Sequence, residues 1–340
     1  MSSPKHMLFT ANDPGGANAI VPVVEKLLSN GEMCTGFLTG PAKAIFERAH
    51  ISFVDGEQLK EGELQSLVND FKPDCILAGT SAGNSIDKNI RSIFPGIPSV
   101  YVLDFWSNYA IRFSREGDDL AHLPTIVCVM DELAKKEMMG DGIPEDRIRI
   151  TGNPYMERFT IGISTDRENE SEILFISQPI REVEGGRHGF DQYTVLASVS
   201  AAVRKLPERF HLLIRLHPKD DRNLFHEYLG DRVSLAQGAS LEDDLARAGL
   251  VIGMYSPVLI QAAAAGKRVV SYEPGLLGVD PLPTNRLGLT QSAQKEDELT
   301  TMLSTYAAGQ YPRTQIDIHK IWPPGATERI LAILDQVTRR

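Results

Sequence analysis

Short apolar runs alternate with amphipathic segments along the whole chain, the pattern of strands and crossover helices in a parallel sheet. The first half predicts a strand at His6 to Thr10, a turn at Asn12-Asp13-Pro14-Gly15-Gly16 and a helix from about Ala17 to Ser29. Strands follow at Cys34 to Leu38, Ile51 to Val54, Asp74 to Ala78, Ser99 to Leu103, Ile126 to Val129 and Arg147 to Thr151. Helices are expected between them at Pro41 to Ala49, Glu61 to Phe71, Ile86 to Phe94 and Glu132 to Met139, with a polar turn at Gly79-Thr80-Ser81-Ala82-Gly83. From Arg158 to Ser171 the chain is polar and rich in loop formers, which marks a linker.

The alternation then restarts. Strands are expected at Glu172 to Ser177, His211 to Leu216, Val233 to Ala236, Leu250 to Gly253 and Arg268 to Tyr272. Helices are expected at Gln192 to Leu206, Arg222 to Leu229, Leu241 to Ala248, Pro257 to Ala265, Glu296 to Ala308 and Ala326 to Val337. The fold class is therefore α/β, with two Rossmann-like domains expected to face a central cleft. The boundaries are 1–160 and 161–322, followed by a closing segment 323–340.

Bulk composition narrows the function. A chain of 340 residues suits two domains, and 42% hydrophobic with 24% charged residues is the balance of a water-soluble globular protein. No apolar run is long enough to cross a bilayer, so no integral membrane segment is expected. Met1 to His6 carries no leading apolar segment, which predicts a cytoplasmic protein. The three cysteines, Cys34, Cys75 and Cys128, show no metal-ligand spacing and read as small hydrophobes. A net charge of −10 argues against nucleic acid as partner, yet leaves room for a basic pocket holding a small anion.

In doubly wound sheets the ligand lies beyond the carboxyl ends of the strands, so the residues after each strand carry the chemistry. After the first strand stand Asp13, Gly15, Gly16 and Asn18, where glycines permit close backbone approach and helix amides favour negative charge. The same stretch reads equally as a tight turn with Asp13 as helix cap. After Leu103 come Asp104, Trp106, Asn108 and Arg112: a general base beside an aromatic platform for a sugar ring, or an aromatic packed in the core with Asp104 paired to Arg112.

Arg215, His217 and Lys219 surround Pro218 after an apolar strand, which predicts a site for a phosphate or diphosphate. Tyr255 and Ser256 precede Pro257, where a hydroxyl and open helix amides again suit phosphate; the alternative is an ordinary N-cap. Glu273, at the end of the next strand, can bind ribose hydroxyls or serve as a solvated turn residue. Gln178 opens a polar, glycine-containing stretch to His188 that reads either as a flexible lid or as a surface loop. The acid pairs Asp118-Asp119, Asp220-Asp221 and Asp243-Asp244 are adjacent residues without an Asp-x-Asp spacing, so no metal and no cofactor is expected.

Several of these motifs, in this order, resemble the GT-B glycosyltransferase superfamily, which includes UDP-N-acetylglucosamine 2-epimerases and CDP-glycerol glycerophosphotransferases. Thr151-Gly152-Asn153-Pro154 resembles the TGNP that ends their first domain, and His217-Pro218 the HP motif of bacterial sialyltransferases. Tyr255-Ser256, the Ala-rich segment and Gly266-Lys267-Arg268-Val269-Val270 are similar to YSS…EA…GKPVI. Pro257 replaces the second serine, Gln261-Ala262 stands in place of Glu-Ala, and the RPE opening of an epimerase is absent.

The resemblance implies a nucleotide-activated donor in the C-terminal half, an acceptor in the N-terminal half, and a last helix packing back on the first domain. The expected activity is metal-independent transfer of a sugar in surface-polysaccharide or glycoconjugate synthesis. Asp104, or Asp13 as second choice, would take the acceptor proton, and Arg215, His217 and Lys219 would stabilise the leaving group. The alternatives are a nucleotide-sugar hydrolase or 2-epimerase, a CDP-alditol phosphotransferase, and a non-catalytic nucleotide binder.

Overall fold

The computed structural model describes residues 4–81, 83–159, 167–314, 316, 317, 319, 321 and 323–339. The chain forms two compact units, one of Met1–Phe159 with Ile318–Arg340 and one of Thr160–Asp317.

In the first unit β1 (His6–Ala11), α1 (Pro14–Ser29), β2 (Met33–Leu38), α2 (Ala42–Arg48), β3 (Val54–Asp55), α3 (Glu61–Phe71) and β4 (Cys75–Gly79) alternate. They are followed by α4 (Ile86–Ile93), β5 (Ser99–Val102), β6 (Ile126–Val129), α5 (Glu132–Gly140), β7 (Ile148–Ile150) and α6 (Pro154–Phe159). The seven strands form a parallel sheet in the order β3-β2-β1-β4-β5-β6-β7. Helices cover both faces of such a sheet, so β4, β5 and β6 are buried at every position and read as continuous apolar runs.

The second unit has β8 (Asn169–Ile176), α7 (Ile180–Glu184), α8 (Gln192–Arg204), β9 (His211–Arg215), β10 (Val233–Leu235), α9 (Leu241–Arg247) and β11 (Ala248–Gly253). It continues with α10 (Pro257–Ala264), β12 (Val269–Tyr272), α11 (Pro283–Arg286), β13 (Gln291–Ala293) and α12 (Glu296–Ala307). Its parallel sheet runs β10-β9-β8-β11-β12-β13. The last helix, α13 (Ala326–Thr338), belongs to the first unit, where it packs on α1, α6, β4 and β5. Both sheets reverse their strand order once, between β1 and β4 and between β8 and β11, and doubly wound sheets hold ligands beyond the carboxyl ends of the strands at such a reversal.

Several expectations are corrected. The glycine turn is not a turn: α1 begins at Pro14, whose fixed φ suits a first helical position, and Gly15 and Gly16 are helical. Gly16 has to be small because a Cβ there would stand 2.5 Å from the Thr80 carbonyl oxygen, so α1 lies directly on the end of β4. The linker ends at Asn169 rather than Ser171, and its residues 160–166, like Ala82 of the expected turn, lie outside the described residues.

Strand β8 starts with polar residues because its amino end is held by charge. Glu168, just before it, contacts Lys267, Arg268 and Arg313 at 3.3, 2.8 and 2.9 Å. Lys267 itself is fully buried and donates to the Ala246 and Ala248 carbonyls. The expected helix at Arg222 to Leu229 is a 3-10 helix over Arg222–Tyr228.

Candidate functional site

At the carboxyl edge of the first sheet, Asp13 occupies the N-cap position of α1 without a side-chain cap bond, and its Oδ1 accepts from Asn12 Nδ2 at 2.8 Å. Asp104, just after β5, reaches the same helix end. Its Oδ2 occupies the place where any side chain at Gly15 would put its Cβ. Its Oδ1 accepts from Arg112 Nη1 at 2.6 Å and from Thr80 Oγ1 at 3.0 Å. Arg112 is buried and also donates to the Thr80 hydroxyl and the Ser107 carbonyl. Asp13, Gly15, Gly16, Asp104 and Arg112 thus gather at the β1/β4 reversal.

Other expected members of this group lie elsewhere. Trp106 is no platform for a sugar: it is 0% exposed and donates Nε1–H to Asp131 Oδ2 at 2.8 Å. Asp131 in turn caps α5 through the Ala134 amide, and burial pushes its carboxyl up to about 6. Asn108 is exposed in a left-handed turn at φ 56°, and Asn18 is half-buried one turn into α1.

Two residues that the sequence reading passed over belong to the site. Thr80 links Asp104 to Arg112. Lys88 on α4 is buried, donates to the Ile111 carbonyl at 2.7 Å, and feels the charges of Asp87, Arg112 and Asp13. Burial lowers its ammonium below the ordinary lysine range, against the pull of Asp87. In sequence, Lys88 looks like one more solvated lysine on an amphipathic helix. A cavity of about 630 Å³ also lies in this unit, lined by hydroxyl and amide groups of Asn12, Thr39, Asn84, Ser85 and Asn89 and by the carboxylates Glu57 and Glu61.

At the carboxyl edge of the second sheet, Gln178 and Tyr255 join the two strands at the reversal: Gln178 Oε1, after β8, accepts from the Tyr255 amide, after β11, at 3.1 Å. Ser256 caps α10 by accepting from the Val258 amide at 3.2 Å. The Tyr255 ring packs 5.2 Å from the His188 ring. Glu273, after β12, is 1% exposed, and neither of its oxygens has a hydrogen-bond partner of good geometry among the described residues. Burial first, and then the nearby Asp280 carboxylate, push its carboxyl up to about 9, so it is no solvated turn residue.

The three side chains expected to act together as cations do not present three positive charges. Arg215 Nη1 is tied to Asp244 at 2.6 Å and to the Gly238 and Ser240 carbonyls, and Asp244 is itself buried. Burial lowers the His217 ring below its ordinary value, so it is neutral near pH 7. Its Nδ1 accepts from the Lys219 amide at 3.1 Å, which assigns the proton to Nε2 as a donor. Lys219 remains exposed.

The stretch after Gln178 is also built differently from the expected glycine loop. Residues Ile180–Glu184 form α7, Arg181 pairs with Asp191 and lies 4.4 Å over the Tyr193 ring, and Gln192 donates to Glu182. The TGNP motif proves structural. Asn153 Oδ1 caps α6 by accepting from the Tyr155 and Met156 amides, and the Thr151 carbonyl accepts from Arg329 of α13. Gly152, at φ 80°, leaves no room for a Cβ against the Pro323 carbonyl. Among the described residues no group of three His, Cys, Asp or Glu is placed to hold a metal ion, and no helix is long and apolar enough to cross a membrane.

No family model and no curated protein matches the sequence significantly. Solved structures match it over nearly its whole length. UDP-GlcNAc 2-epimerase from Neisseria meningitidis, bound to UDP-GlcNAc, is 14% identical with a TM-score of 0.67, covering 97% of this chain and 100% of that one. A glycosyltransferase from Rickettsia africae is 9% identical with a TM-score of 0.65 and full coverage of both chains. The Anabaena protein HepE, in complex with UDP and glucose, is 16% identical with a TM-score of 0.63, covering 97% of this chain and 99% of that one. These neighbours include an epimerase and a glycosyltransferase, both enzymes. Two Rossmann-like units with parallel sheets of seven and six strands, matched end to end by such structures, give this chain the GT-B fold.

Proposed function

We propose that this chain is a metal-independent, cytoplasmic glycosyltransferase. It takes a nucleotide-activated sugar in the second unit and an acceptor in the first, in glycoconjugate or surface-polysaccharide synthesis. The observation that carries this reading is the carboxyl edge of the second sheet. There the Gln178–Tyr255 bond and the Ser256-capped start of α10 stand at the strand-order reversal, where doubly wound sheets hold nucleotides, and the buried Glu273 ends the neighbouring strand β12. His217 Nε2–H, Lys219 and the first turn of α10 supply the donors for the diphosphate leaving group, doing in a metal-free site what a cation does elsewhere. Arg215 acts at one remove, by fixing the Gly238–Asp244 segment beside them. Glu273 meets the ribose hydroxyls.

On the acceptor side, Arg112 and Thr80 hold Oδ1 of Asp104, and Oδ2 takes the acceptor proton. The amide, hydroxyl and carboxylate lining of the neighbouring cavity suits a polyhydroxylated acceptor without negative charge. Support comes also from the neighbours, one bound to UDP-GlcNAc and one to UDP and glucose.

One observation favours epimerisation as a second reading. Glu273, with its carboxyl pushed up to about 9, carries a proton at neutral pH that a general acid could deliver. Incubation with UDP- and CDP-linked sugars in deuterated water separates the readings. Transfer predicts nucleotide release only when an acceptor is added. Deuterium at C2 of an inverted sugar identifies an epimerase, free sugar without acceptor a hydrolase, and nucleotide binding with no turnover on any donor a non-catalytic binder.

A further inference from the structure

The opposite, amino-terminal edge of the first sheet holds a second concentration of charge. A cavity of about 500 Å³ is lined there by Arg91, Arg147, Arg149, Asp146, Thr125 and Gln336, among others. In a chain of net charge −10, three arginines against one aspartate is an unusual local excess.

Main-chain carbonyls fix each guanidinium on one side only. Arg91 donates from Nε to Leu123 at 3.1 Å and from Nη1 to Pro95 at 2.7 Å. Arg147 Nη1 donates to Pro124 at 2.8 Å, and Arg149 Nη1 to Asp146 and Ile148 at 2.8 and 2.9 Å. Among the described residues no carboxylate pairs with any of the three, and none of their Nη2 groups has a partner. Burial lowers the Arg91 guanidinium below its ordinary value; Tyr101 opposes this, and the positive charge of Arg147 adds to it. Like charges held together in this way are relieved by an anion, and the planar fork of arginine matches phosphate oxygens two at a time.

We propose that this cavity binds a phosphate-bearing small molecule, at a site separate from the carboxyl-edge nucleotide site and independent of it. Carbonyl-anchored arginines lose little side-chain freedom on binding, which is what makes three of them around one cavity a preorganised anion cradle.

The test is calorimetric titration of the full chain with inorganic pyrophosphate, for the unmodified protein and for Arg147→Gln/Arg149→Gln. Losing two charge-assisted contacts should weaken pyrophosphate binding by about tenfold or more. Binding by the unmodified protein should also fall between 50 and 300 mM NaCl, over which the Debye length contracts from about 14 Å to about 6 Å. UDP affinity, measured separately, should be the same in both proteins, so a failure of the nucleotide reading is visible apart from this one. Equal pyrophosphate affinity in the two proteins, or no pyrophosphate binding by the unmodified protein, overturns the proposal. If the double variant melts differently from the parent, Arg149→Gln alone gives the reading, because that side chain bonds only to carbonyls of its own neighbours; a loss of about threefold is expected, and no loss overturns the proposal.

Discussion

Glu273 shows how one residue ties stability to the site. Its carboxyl is pushed to about 9 in the folded chain, against an ordinary 4.5. With the folded value raised, the stabilisation is complete below about 4.5 and is lost as pH rises through about 9. Glu273→Gln mimics the protonated form and removes that loss. The variant should therefore gain on the order of 5 kcal/mol over the parent at pH 8.5 and about 1 kcal/mol or less at pH 5. Thermal melts at the two pH values check this, and an equal difference at both would contradict it. Asp87 and Asp131, each pushed to about 6 by burial, bend the curve at lower pH in both proteins alike. What a sequence hides at this scale is the partner. Arg215 looks like a phosphate ligand until Asp244, far along the chain, is found beside it, and Trp106 looks like a platform until Asp131 takes its Nε1–H.

Among the elements, glycine separates into two kinds. Gly16 brings α1 onto the end of β4 and has no room for a methyl, whereas Gly62 in α3 has open space around its Cβ position. Gly16→Ala should destabilise the protein by about 1–3 kcal/mol, and Gly62→Ala should stabilise it by about 0.5–1 kcal/mol. Urea unfolding measures both, and the same sign for the two variants would contradict the packing described for α1.

Elements with a strong apolar period were legible in the sequence; α3 and β6 have the predicted bounds. Those missed are short and polar. Helix α6 depends on the Asn153 cap, α7 on the Arg181–Asp191 and Glu182–Gln192 contacts, and β13 is a three-residue edge strand with two exposed residues. Side-chain bonds hold the two helices and backbone pairing with β12 holds the strand, and neither leaves a periodic trace.

For the whole molecule, the alternation of apolar runs and amphipathic helices was enough to read two parallel sheets, because crossover connections allow little else. The order of the strands was not legible, since apolar content does not say which neighbour a strand takes. Yet that order places both candidate sites. Each sheet reverses once, and Asp104 with Gly15 in one unit, and Gln178 with Tyr255 in the other, stand at the reversals.

The nucleotide site in the second unit is tested most directly by calorimetric titration of UDP and CDP into the parent chain and His217→Ala. Binding of at least one nucleotide by the parent, weakened about tenfold in the variant through loss of the Nε2–H donor, is the expected result. Equal affinity in the two proteins, or binding of neither nucleotide by the parent, would contradict it.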